Sequence, residues 1–156
     1  MTRVLDATSH DTGTSAGTAP TRADESQALD SIFTYRELLR LDEALTMSSR
    51  ETGLRFTLYI GDLGAQTRAR AEELFDRSGS FGDLPESVLI AVSPGQRVVE
   101  VVTGAAAARR LPDRACALAV LSMTNAFASG DLVGGIVNGL RQLSDQAGHP
   151  RGLRTH

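Results

Sequence analysis

Five consecutive apolar residues, Val88 to Val92, limit how this chain can fold more than any other feature. A strand without polar alternation has no face to give to water, so it belongs in the middle of a sheet covered on both sides. The residues that follow, "SPGQRVVEVVTG", place proline at the second and glycine at the third position of a tight turn, the pattern of a type II turn at Pro94-Gly95. Arg97 to Thr103 then returns antiparallel, and Glu100, which interrupts its valines, needs a partner or solvent.

Upstream, Leu38, Leu41 and Leu45 recur at helical spacing, with Arg36, Glu37, Arg40, Asp42 and Glu43 on other faces. This predicts an amphipathic helix from Tyr35 to about Thr52, ended by Gly53. A strand over Leu54 to Ile60 and a helix from about Ala65 to Arg77 precede the central strand, which makes a βαβ unit.

Downstream, Pro112 and Asp113 open a helix, where a carboxylate complements the helix dipole. Its stripe of Cys116, Ala119, Val120, Met123 and Phe127 is widened by Ala115, Leu118 and Leu121, so the helix is expected to be mostly buried. Gly130 and Asp131 break it, and Asp131 caps a last helix with an apolar stripe at Leu132, Ile136, Leu140, Leu143 and Ala147. Gly135 and Gly139 lie one turn apart beside that stripe. Each costs about 1 kcal/mol of helix propensity, which close helix packing must outweigh. No strand precedes them and no Lys-Ser/Thr pair follows, so they are packing glycines rather than a phosphate loop. That packing is either within the fold or against another subunit, and the chain is expected to be a monomer or a weak homo-oligomer.

The 156 residues, 41% of them hydrophobic, suit one domain. Residues 1–30 carry no aromatic and no periodicity and read as a disordered N-terminal tail; residues 31–147 read as the domain and 148–156 as a flexible C-terminal tail. The first thirty residues hold five acids and two arginines, which leaves the remainder with fourteen charges of each sign out of 19 acidic and 16 basic residues. An evenly balanced body has no electrostatic footprint for nucleic acid. No run approaches the roughly 18 to 20 apolar residues of a membrane span, and nothing near the start resembles a signal peptide. A cytoplasmic protein that does not insert into membranes is therefore expected.

The order of these pieces resembles the TPM domain family. An apolar strand "VLIAVS", a second strand "RVVEVVTG", a spacer ending in "LPD" and the run "FASGDLVGGIVNGL" carry the resemblance, together with "RETGLRFTLYIGDL". It covers about residues 35–147 and looks closest to a subgroup of uncharacterised, soluble actinobacterial proteins. The resemblance implies a three-layer α/β/α sandwich around a small mixed sheet. It also implies a family of divided functions, including membrane-protein assembly, calcium binding and an acid phosphatase activity. The chain departs from that pattern, with "GDLPES" in place of Asp-x-Gly and Gly104-Ala105-Ala106 in place of Gly-Tyr-Gly.

Two pairs of aspartates are candidate calcium ligands. Asp83 and Asp113 are expected at one end of the sheet and Asp62 and Asp131 at the other, where two carboxylates, carbonyls and waters could approach the six to eight oxygens calcium takes. Each also has a local reason to be aspartate: Asp113 and Asp131 as helix caps, Asp62 and Asp83 as turn residues. Arg109, Arg110 and Arg114 surround a helix start and form a candidate anion site, with a solvated surface cluster as the other reading. His10, His149 and His156 all lie in the tails, which leaves Ser93 and Cys116 without an evident base. These features point to a protein-binding or scaffold module with an unknown protein partner, the alternative being a calcium-binding protein with acid-phosphatase-like activity.

Overall fold

The computed structural model describes residues 33–78 and 84–150. Helix α1 (Tyr35–Thr52) begins at Thr34, whose hydroxyl accepts the Glu37 amide at 3.1 Å while the Glu37 carboxylate accepts the Thr34 amide at 2.8 Å. This reciprocal pair satisfies donors that a helix start otherwise leaves open. Gly53 ends α1 in the left-handed region at φ 76°, its amide donating to the Ser49 carbonyl. There follow β1 (Arg55–Ile60), α2 (Thr67–Ser78), a single 3-10 turn at Leu84–Glu86, β2 (Ser87–Ser93), β3 (Val98–Thr103), α3 (Ala105–Arg110), α4 (Asp113–Ala128) and α5 (Leu132–Ala147).

The sheet is mixed, in the order β1-β2-β3, with β1 parallel and β3 antiparallel to β2; Ile90 pairs with Leu58 on one side and Val101 on the other. All seven residues of β2 are buried, as its apolar run requires. Val88, Ile90 and Val92 face a core shared with α1, α4 and α5, whereas Leu89 and Ala91 face Leu63, Ala71, Leu74 and Phe75. The result is a three-layer α/β/α sandwich around a small mixed sheet, the fold that the resemblance implies. Both outer strands are also fastened along their edges: the Phe56 amide donates to Ser49 Oγ at 3.1 Å, and the Arg68 guanidinium donates to the Val101 carbonyl at 2.8 Å. Blocking backbone groups in this way blunts a sheet edge against unintended pairing.

Helix α5 lies between α1 and α4. A Cβ on Gly139 would stand 2.7 Å from Met123 Cγ and Sδ, and one on Gly135 would stand 2.8 Å from Ala126 Cβ and Phe127 Cε1. The missing side chains are what let α4 approach so closely. The glycine face is thus filled from within the chain rather than left for another subunit.

Two expectations, the hairpin turn and the burial of α4, need correction. The β2–β3 turn is not type II, because Gly95 is not left-handed; Pro94 to Arg97 form a four-residue loop in which the Arg97 amide donates to the Pro94 carbonyl at 3.3 Å and Arg97 itself takes φ 59°. Loops of this length are usually built on a type I turn, and the last residue must swing back to restore the strand register. Within the spacer before Pro112, Ala105–Arg110 form a helical turn and a half. Helix α4 is not mostly buried: only Ala119 and Met123 are fully enclosed, and Leu118 and Leu121 are each 57% exposed. A helix that is apolar on several faces reads as buried, yet here a single face has neighbours.

Candidate functional site

Because β1 and β2 run parallel, their carboxyl ends share one end of the sheet. The β2–β3 hairpin, the end of α4 and the start of α5 meet there around a cleft of about 450 Å³ lined by Pro94, Arg97, Thr124, Phe127 and Leu132, among others. The crevice outside the carboxyl ends of strands is the usual place for a ligand in an open α/β sheet. The lining is mainly apolar, and Arg97 is the one charged residue in it among the described residues. Arg97 is exposed, and among the described residues no carboxylate lies within ion-pair distance of it.

The hairpin that carries Arg97 is clasped to its neighbour. Gln96 Oε1 accepts the Leu63 amide at 2.7 Å and the Ser93 hydroxyl at 2.8 Å, and Gln96 Nε2 donates to the Gly64 carbonyl at 2.8 Å. On the opposite wall, Asp131 Oδ1 accepts the Gly134 amide at 3.0 Å and fixes the start of α5. Thr124 and Ala128 continue the outward stripe of Leu121 at helical spacing, so the exposed leucines of α4 lead into the cleft.

Of the aspartates considered as metal ligands, Asp83 lies outside the described residues. Asp113 occupies the first turn of α4 but is not its cap, because Pro112 holds that position and its carbonyl accepts the amides of Ala115 and Cys116. Asp62 and Asp131 both lie at the carboxyl end of the sheet, yet Asp62 belongs to the loop before α2 and Asp131 to the α4–α5 turn, on opposite faces. Asp62 Oδ2 accepts the Gly64 amide at 3.0 Å, so each of the two serves its own loop. Among the described residues no group of three or more His, Cys, Asp or Glu could hold a metal.

Of the three arginines considered for an anion, Arg110 is engaged by backbone carbonyls. Arg110 reaches across to the last turn of α5, donating to the Ala147 carbonyl at 3.1 Å and the Gly148 carbonyl at 2.7 Å, while Arg109 and Arg114 are exposed. Cys116 donates weakly to the Leu111 carbonyl at 3.7 Å, and burial, with Asp113 adding to it and Arg68 opposing, pushes its thiol pKa up. A raised thiol is a poor nucleophile. Ser93 is buried and bonded to Gln96, and His149 sits near the Glu51 carbonyl at the far end of α1. His10 and His156 lie outside the described residues.

Sequence reasoning missed Arg97 as a site residue, and it gave Phe127 to the apolar stripe of a mostly buried helix, whereas Phe127 is partly buried and also lines the cleft. The signal for the first was the four-residue spacing between strands, which forces a left-handed residue at the hairpin end. No helix among the described residues is long and apolar enough to cross a membrane.

Solved structures share this fold at low identity. The N-terminal domain of a P. gingivalis protein aligns at TM-score 0.64 and 18% identity, covering 74% of this chain and 76% of that one. The BA42 protein of Bizionia argentinensis aligns at 0.67 and 15%, covering 74% and 81%. The N-terminal domain of a Corynebacterium glutamicum protein aligns at 0.59 and 9%, covering 80% and 83%. Two uncharacterized proteins from strains of Mycobacterium tuberculosis are each 42% identical over 112 residues, which is 72% of this chain and only 65% of the relative's length. The family described as domain of unknown function DUF5130 matches residues 10–144, and the chain belongs to that family.

Proposed function

We propose that this domain is a non-enzymatic protein-binding or scaffold module of TPM-like type that engages its partner through the outer face of α4 and the cleft beside it. The observation that carries this reading is the exposure of Leu118 and Leu121, 57% each, on the stripe that runs into the cleft. Contiguous exposed apolar surface costs solubility and marks interaction sites when it persists. The alternative, a calcium-binding protein with phosphatase-like activity, draws on Asp83, which lies outside the described residues, and no observation favours it.

Site-specific photocrosslinking tests the reading. A benzophenone residue at Leu121, incorporated in growing cells, is expected to give one product of discrete mass that is lost in the Leu118→Asp background while the helical circular dichroism is retained. The control position is Ala69, exposed on α2 at the other face of the sheet. Equal labelling from Leu121 and Ala69, or a Leu121 product that survives Leu118→Asp, would sink the proposal.

A further inference from the structure

We infer that the cleft receives an acidic peptide segment of the partner, with one bulky apolar side chain against Phe127 and Leu132 and a neighbouring carboxylate paired with Arg97. This rests on the protein-binding reading and names the chemistry of its occupant.

Three features of the cleft lead to this occupant. Its charge is one-sided, since among the described residues Arg97 is the only charged one lining it and no carboxylate neutralises that guanidinium. Asp131, between the lining residues Gly130 and Leu132, accepts the Gly134 amide at 3.0 Å. An arginine that is presented but unpaired matches a planar carboxylate with two parallel hydrogen bonds. Its body is apolar, and about 450 Å³ accommodates one or two side chains rather than a whole folded surface. Its rim is open at Gly130, a lining residue with open space where a side chain would begin, which suits an extended chain passing over it.

The position of Arg97 is also fixed in advance. Its backbone is set by the Pro94 carbonyl at 3.3 Å, and the adjacent Gln96 is bonded to the Leu63 amide and the Gly64 carbonyl. Little loop ordering remains to oppose binding. A phosphate-bearing ligand fits less well, since a dianion calls for several charge-assisted donors and the cleft offers a single guanidinium.

The test uses the full chain and fluorescence anisotropy of a short fluorescein-labelled peptide with a central Leu-Phe pair flanked by aspartates. A second peptide carries asparagine in place of each aspartate. Saturable binding of the aspartate peptide is expected, with the asparagine peptide weaker by about fivefold, the scale of a partly exposed ion pair. Rising salt should narrow that difference. Arg97→Gly should abolish it, and Arg97→Lys should keep part of it. Glycine adopts a positive φ without strain, so a failure of Arg97→Gly to discriminate is not a failure to fold.

Equal binding of the two peptides, no binding of either at millimolar protein, or an Arg97→Gly variant that still prefers aspartate overturns the assignment. If that happens while the Leu121 crosslink persists, the acidic-peptide assignment alone is wrong. Loss of the crosslink specificity overturns the protein-binding reading on which it rests.

Discussion

The side-chain amide of Gln96 grips the backbone on both sides of the peptide that joins Leu63 to Gly64, accepting the Leu63 amide at 2.7 Å and donating to the Gly64 carbonyl at 2.8 Å. One residue of the β2–β3 hairpin thereby holds the loop between β1 and α2, two segments more than thirty residues apart in sequence. The Leu63 side chain is fully buried, so its amide loses a partner that water cannot readily replace. Gln96→Ala is expected to destabilise the fold by about 1–3 kcal/mol. A lowered denaturation midpoint at unchanged m-value would show it. No change in midpoint would mean that water takes over the clasp.

Gly139 decides how close α4 and α5 can come. Gly139→Ala places a methyl group against the flexible Met123 side chain, and its cost is expected to stay within about 1–3 kcal/mol. Gly139→Leu cannot be accommodated by moving Met123 alone and is expected to unfold the chain or separate the helices. Size-exclusion chromatography with circular dichroism distinguishes this from a subunit contact: loss of helical signal supports internal packing, whereas a folded protein that merely becomes smaller refutes it.

Much of the fold was legible because the signals were periodic. The glycine stop at Gly53, the unbroken apolar run of β2 and the four-three spacing of α5 each state a local geometry, and each is present. What was not legible depends on partners distant in sequence. Nothing local in "AAAARR" tells that Arg110 reaches the carbonyls of Ala147 and Gly148, and that contact helps explain how a helix as short as α3 persists. Apolar periodicity identified α4 but could not say that Leu118 and Leu121 lack neighbours. At the hairpin, local turn chemistry pointed to Gly95, while the register of Ser93 with Val98 put the left-handed residue at Arg97. The candidate site was therefore the least visible part of the chain, since it is made where the β2–β3 hairpin meets the α4–α5 turn.

Asp62 and Asp131 already serve their own loops. Asp131→Ala is expected to cost about 1 kcal/mol through the lost N-cap, and Asp62→Ala less, because its turn is exposed. Both losses should be the same with and without calcium. Thermal melting of the two variants and the parent in each condition checks this. A calcium-dependent rise in melting temperature for the parent that either variant lacks would identify that aspartate as a ligand.

The Cys116 thiol is raised by burial first and by the Asp113 charge second, with Arg68 opposing. A raised pKa in the fold means that the neutral thiol is the form the native state prefers. Its contribution to stability is full below the pKa of the unfolded thiol and is lost as pH climbs through the folded one. Iodoacetamide should therefore alkylate native Cys116 more slowly than the denatured chain at mildly alkaline pH, and Asp113→Asn should speed the native reaction modestly. Native labelling as fast as denatured labelling would contradict the protected thiol described for α4.

Arg97 holds a conformation that side chains with a Cβ adopt at a cost of about 1–2 kcal/mol. Glycine removes that cost but raises the entropy of the unfolded chain by an amount worth about 0.4–1 kcal/mol. Arg97→Gly should thus be equal to the parent or up to about 1.6 kcal/mol more stable, a balance of those two effects. A β-branched residue is most restricted there, so Arg97→Val should be the least stable of the three. The order Gly, Arg, Val in denaturation midpoint would support the left-handed hairpin end that presents the guanidinium to the cleft. A valine variant as stable as the parent would mean that the loop takes another conformation, and with it Arg97 would lose the fixed position on which recognition of a carboxylate depends.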